Sequence, residues 1–136
     1  MPAGHDELAM PLRSFVDVTK VCQYGKELAA SLHFELIESI KITTAISEIA
    51  RNTVLYADAG HITVCAIQRG EKRGLMVVVE DDGPGIPDVT LAMQDGYSTT
   101  FSLGIGLSGA KRLMDEFEIV SEVGKGTTIT MKKWKQ

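Results

Sequence analysis

The sequence predicts an α/β (α+β) fold: a two-layer sandwich in which a mixed, mainly antiparallel sheet carries helices on one face. Three observations predict it. Apolar residues recur at helical spacing in two adjacent stretches, at Val21, Leu28 and Leu32 and again at Ile42, Ile46 and Ile49. Two pairs of β-prone runs follow, each joined by a short glycine-bearing turn, as hairpins require. Between the pairs, from Asp81 to about Leu103, the pattern dissolves into Gly, Pro, Ser and Thr, and a loop that long in a small domain is usually functional.

Residues 1–10 read as a flexible polar tail. Leu12 to Val18 mixes apolar and polar residues in short alternation and predicts a strand, after which Asp17 or Thr19 can cap a helix reaching about His33. Gly25 interrupts that helix at a tolerable cost of about 1 kcal/mol. A longer helix is predicted from about Glu35 to Ala57, with its isoleucine stripe turned to the core. Ile62–Gln68 and Leu75–Glu80, separated by a charged turn from Arg69 to Gly74, form the first hairpin. A last helix is predicted from about Gly106 to Phe117, then strands Glu118–Val123 and Thr127–Trp134 around Gly124-Lys125-Gly126. This order places helices over one sheet and leaves a pocket between the layers that the long loop can cover.

Composition narrows the function. At 136 residues the chain is one domain with a real core, and 44% hydrophobic against 24% charged residues excludes disorder. A net charge of -4 without a long basic run cannot neutralise the phosphates of a duplex, so nucleic acid is not an expected partner. Lys132, Lys133 and Lys135 around Trp134 read as a solvated strand end. Cys22 and Cys65 lack a CxxC or metal-ligand spacing and read as two buried free thiols. The first residues carry no basic and apolar leader, and no stretch has the roughly 18 apolar residues of a span, so a cytoplasmic protein without membrane contact is expected.

Four short motifs carry the candidate chemistry. Glu48 and Asn52 lie four apart on the long helix, so both leave one face: an amide oxygen can coordinate Mg2+ while the carboxylate takes a proton. Taken alone, such a pair is more often simply solvated. Asp81 ends an apolar strand before Gly83 and Gly85, where a carboxylate can accept from an exocyclic amine and bare backbone can approach a flat ring. A plain surface turn is the competing reading. Gly104-Ile105-Gly106-Leu107-Ser108-Gly109 matches a dinucleotide fingerprint formally but follows a polar, turn-rich stretch instead of a buried strand. What remains is a glycine-rich helix start whose N–H groups and dipole suit a phosphate chain. Gly124-Lys125-Gly126-Thr127 by itself is a hairpin turn.

Taken in order, Glu48-x3-Asn52, Asp81-x-Gly83-x-Gly85, Gly104-x-Gly106-Leu107 and Gly124-x-Gly126-Thr127 resemble the N, G1, G2 and G3 boxes of the GHKL ATPases. The resemblance covers about Phe15 to Trp134 and implies the Bergerat α/β sandwich, binding ATP and Mg2+ under a lid at about 88–103. Carried onto this chain, it makes Glu48 the general base and Asn52 the Mg2+ ligand. Asp81 would accept from the adenine amine, with Gly83 and Gly85 shaping the base pocket. Gly104, Gly106 and Leu107 would present N–H groups to the phosphates, and Thr127 would support the adenine end. Ile42 to Asn52, Asp95 to Thr99 and Lys111 to Phe117 resemble the RsbT-type switch-kinase family of bacterial stressosomes. That likeness implies a serine/threonine kinase of STAS-domain scaffold proteins that afterwards binds a PP2C-type phosphatase. The family lid is often richer in glycine than Thr100-Phe101-Ser102-Leu103. An anti-sigma factor kinase and a non-catalytic ATP-sensing adaptor are the alternatives. Arg51 and Tyr56 stand where anti-sigma factors usually carry an Ala-rich string ending in His.

Overall fold

Two helices pack on one sheet because their apolar stripes and the sheet's alternate residues share a single core. The computed structural model describes residues 7–57, 60–81, 109–122 and 126–135. The element order is β1 (Glu7–Leu12), α1 (Phe15–Ser31), α2 (Leu36–Tyr56), β2 (Gly60–Arg69), β3 (Lys72–Asp81), β4 (Glu116–Glu122) and β5 (Gly126–Trp134). Residues 109–113 are also helical. The sheet runs β1-β2-β3-β5-β4, and every described pairing is antiparallel, so the mixed sheet expected from sequence is antiparallel throughout its described strands. Ile62 and Val64, then Leu75, Val77 and Val79, then Ile129 and Met131 are buried at the period-two spacing of a half-covered sheet. Against them lie Val21 and Leu28 from α1 and the predicted stripe Ile42, Ile46 and Ile49 from α2, each of the three isoleucines at most 1% exposed.

Several boundaries differ from the sequence expectation, each for a local reason. The first strand is Glu7–Leu12, so residues 7–10 belong to the sheet and not to a tail, and Phe15 to Val18 are already helical. Pairing decides this. Leu8 sits opposite Val64 and Met10 opposite Ile62, so half-buried side chains alternate along β1. Ser14 occupies the N-cap of α1, and Asp17 reaches back from the first turn, its carboxylate accepting the Arg13 N–H at 2.8 Å. At the other end His33 adopts a left-handed φ of 66°, while the Phe34 and His33 N–H groups bond to the carbonyls of Ala29 and Ala30, a Schellman closure without glycine. The last helix ends before Phe117, because Phe117 pairs with Met131 inside the sheet. Both cysteines are free and half-buried.

The basic cluster at the C-terminal end is not a solvated strand end. Lys133 shares the helix-facing side of β5 with Ile129 and Met131 and is only 7% exposed. Its ammonium lies 2.9 Å from Glu38 Oε2 and 3.4 Å from Asp115 Oδ1, and it donates to the Leu113 carbonyl at 3.1 Å. The 2.9 Å contact is an ion pair without a well-aimed hydrogen bond, since Glu38 Oε2 is shut off from water yet has no hydrogen-bond partner among the described residues. Glu38 also stands in the first turn of α2, where a negative charge complements the helix dipole. Asp115 accepts the Trp134 backbone N–H at 2.7 Å, and Glu116 accepts the Trp134 indole N–H at 2.6 Å. One buried ammonium thus ties α2 and the segment after the 109–113 helix to β5.

The Lys133 ammonium holds the Glu38 carboxyl below its ordinary value of 4.5. A depressed folded-state value means that the contribution is fully present above the unfolded-state value and is lost as pH falls through the folded one. The urea midpoint should therefore drop as pH is lowered below about 4.5, and Glu38→Gln should make that acid limb measurably shallower while lowering the midpoint at neutral pH.

Candidate functional site

One row of residues crosses the sheet at the end from which the long loop departs. Gly60 at the start of β2 pairs with Asp81 at the end of β3, Asp81 pairs with Thr127 in β5, and Thr127 pairs with Ser121 in β4. Register places these four side by side although Gly60, Asp81 and Thr127 are far apart in sequence. Thr127 is 8% exposed, and its hydroxyl lies 2.9 Å from that of Ser121, so one donates to the other. Asp81 is half-buried at the last position of an otherwise apolar strand.

The last turns of α2 lie over this row. Gly60 marks the contact: a Cβ built there would meet the Thr53 methyl at 2.5 Å, the Glu80 carbonyl oxygen at 2.7 Å and the Asp81 Cβ at 3.3 Å. Thr53 satisfies its own hydroxyl by donating to the Ile49 carbonyl at 3.0 Å, which leaves its methyl for this contact. Asn52, one residue earlier, is 6% exposed, and its Nδ2 has no hydrogen-bond partner among the described residues. Leaving a buried amide unpaired costs about 1–3 kcal/mol, so such a group is one that a bound ligand can satisfy. Glu48 is a turn away and opens to water, its side chain 33% exposed and its Oε1 2.8 Å from Arg51 Nη2. Half-exposed pairs at this spacing contribute about 0.3–0.5 kcal/mol and are easily exchanged.

The helix thus offers a sheltered amide and an accessible carboxylate, while the sheet offers an acid and a hydroxyl. Among the described residues no group of three or more His, Cys, Asp or Glu could cage a metal. One carboxamide oxygen beside one carboxylate suits Mg2+, which typically takes one or two protein oxygens and completes its shell with phosphate and water. Gly83, Gly85, Gly104, Gly106 and Leu107 lie outside the described residues, as does the stretch 88–103 expected to form the lid.

Sequence reasoning passed over Gly60, Thr53 and Ser121. A lone glycine ahead of an apolar strand carries no signal by itself, and the Ser121–Thr127 pair is visible only from strand register. Because backbone and a β-branched side chain crowd Gly60, Gly60→Ala should cost roughly 1–3 kcal/mol in chemical denaturation, the usual range for overpacking. It should also weaken nucleotide binding more than an equally destabilising core change such as Val64→Ala, which a fluorescence titration with a nucleotide analogue would read.

Comparison with known proteins identifies the family and the fold. The family model described as histidine kinase-, DNA gyrase B- and HSP90-like ATPase matches residues 37–136. The chain is 44% identical to the serine/threonine-protein kinase RsbT of Bacillus subtilis over 130 residues, covering 96% of this chain and 98% of that one. It is 36% identical to the anti-sigma F factor of Clostridium acetobutylicum over 88% of this chain and 83% of that one. In fold, the crystal structure of the RsbU and RsbW domains of Rv1364c from Mycobacterium tuberculosis superposes with a TM-score of 0.65 at 24% identity, over 96% of this chain and 33% of that chain. No described helix is long and apolar enough to cross a membrane. With a helix-on-antiparallel-sheet core, an acid and an amide a turn apart on α2, and a near full-length relative in RsbT, the chain belongs to the histidine kinase-, DNA gyrase B- and HSP90-like ATPases and is of the RsbT serine/threonine-kinase type.

Proposed function

We propose that this protein uses ATP and Mg2+ to phosphorylate serine or threonine on STAS-domain scaffold proteins of a stressosome-like module in the cytoplasm. It then acts as a switch by binding a downstream partner such as a PP2C-type phosphatase. The observation that carries this reading is the placement of α2, whose Thr53, next to Asn52, lies against Gly60 in the strand row that continues through Asp81 and Thr127. A nucleotide whose base rests on that row would extend its phosphates toward the helix.

In this reading Asp81 accepts a hydrogen bond from the adenine amine, and Thr127, anchored by Ser121, supports the same end. Gly83 and Gly85 shape the base pocket. Gly104, Gly106 and Leu107 turn N–H groups toward the phosphates. Asn52 contributes its amide oxygen to Mg2+, which when bound neutralises charge on the transferring group. Glu48 accepts the proton of the incoming hydroxyl as that oxygen bonds to the γ-phosphorus. The bond from that phosphorus to the β,γ-bridging oxygen breaks, and ADP leaves with the electron pair. The accessible position of Glu48 suits a group that must meet an acceptor arriving from solution, and the buried position of Asn52 suits one that must hold a desolvated ion.

The anti-sigma factor relative supports a second reading, in which the partner retained is a sigma factor. Arg51, directly before Asn52, favours the switch-kinase reading over it.

Mixing the protein with γ-labelled ATP, Mg2+ and a STAS-domain protein should transfer label to the latter, and chelating Mg2+ should abolish transfer. Glu48→Gln should retain nucleotide affinity and lose roughly 10²–10⁴-fold in transfer rate. Undiminished transfer by that variant removes the base assignment. Asn52→Ala and Asp81→Asn should each weaken Mg-ATP binding by about tenfold or more in a calorimetric titration, the scale of one lost charge-assisted hydrogen bond. ATP binding without any transfer would instead support the non-catalytic adaptor.

A further inference from the structure

A groove of about 440 Å³ runs between α1 and α2, open to solvent and lined by Phe15, Val18, Cys22, Lys26, Ser47 and Arg51 among others. Its charged lining side chains, Lys26 and Arg51, are both cationic, in a chain whose net charge is -4. Arg51 is paired with Glu48 at 2.8 Å, while no salt bridge engages Lys26 among the described residues. On α1 the Gln23 amide donates to Glu27 Oε2 at 2.9 Å, and the Asp17 carboxylate is engaged by the Arg13 N–H. Phe15 stands at the groove 52% exposed, an aromatic without cover. The Arg51 guanidinium that lines the groove also pairs with Glu48, so the groove is continuous with the carboxylate assigned above as the base.

We propose that this groove docks the acceptor protein, and that it selects an acceptor segment bearing a carboxylate near the hydroxyl to be phosphorylated. The proposal rests on the kinase reading of the neighbouring site and names the recognition that site requires. Phe15 supplies an apolar anchor of the kind that dominates protein interfaces. Lys26 and Arg51 supply the complementary charge that fixes register. The Arg51–Glu48 pair is exposed enough to be weak, so an incoming carboxylate can take Arg51 from Glu48 and free Glu48 to accept the hydroxyl proton. Docking and activation of the base would then be one event.

Cys22 lines the groove and makes docking measurable without catalysis. Its alkylation by iodoacetamide at alkaline pH, followed by mass spectrometry, would be compared with that of Cys65, on β2 and outside the groove. The probe is a STAS-domain acceptor protein added with a non-hydrolysable ATP analogue, and transfer from labelled ATP is measured in parallel. Docking in the groove should slow Cys22 alkylation about fivefold or more and leave Cys65 unchanged. Lys26→Glu should abolish that protection and raise the KM for the acceptor about tenfold, with ATP affinity unaltered. Transfer to the acceptor with Cys22 unprotected, or Lys26→Glu behaving as the wild type, overturns the groove while leaving the kinase reading intact. Protection without transfer overturns the kinase reading and leaves the groove as a docking surface, and neither protection nor transfer overturns both.

Discussion

The absence of a side chain at Gly60 lets the end of α2 lie down on the sheet. The Thr53 methyl and the Glu80 carbonyl both come closer to this position than a Cβ tolerates, so a helix side chain reaches the strand backbone here. The spacing between helix and sheet at this point determines whether an amide on the helix and a carboxylate on the sheet can act on one small molecule. Stripe packing along Ile42, Ile46 and Ile49 sets the direction of the helix, and the glycine sets its height above the sheet.

A second constraint acts at the opposite end of α2. There the buried Lys133 ammonium gathers Glu38, Asp115 and the Leu113 carbonyl, so the start of the helix and the segment that follows the long loop are fastened to β5. Burying a cation is costly unless it is surrounded by acceptors, and three of them, one from α2 and two from the 113–115 segment, meet that cost together. With α2 fixed at both ends, the position of Glu48 and Asn52 between them is not free to drift. Kinases that rely on positioning and electrostatics benefit from such a frame, because little covalent work is left to the protein.

Exposure divides the two helical site residues in a way that spacing alone does not. Glu48 and Asn52 share a face, yet one is open to water and paired with Arg51 while the other is buried, its Nδ2 without a hydrogen-bond partner among the described residues. In the function proposed above, a residue that would meet macromolecular acceptors and one that would hold an ion beside phosphates have opposite needs for solvent. Arg51 links the first to the groove between the helices, so the docking surface and the base proposed above would be adjacent on one helix.

Periodicity in the sequence determined the two long helices, the four later strands and the core face of α2, because amphipathic spacing is a local property that burial then respects. The order of the four motifs determined the family. Register, helix height and the direction in which a long side chain leans were decided only in the tertiary structure, since each depends on chain segments that meet across the fold. Hence the first strand began five residues earlier than alternation suggested, as Leu8 and Met10 acquire meaning only opposite Val64 and Ile62. Lys133 read as solvated because its partners Glu38 and Asp115 lie 95 and 18 positions away in the sequence. Gly60 looked like any glycine before a strand until Thr53 and Asp81 were beside it.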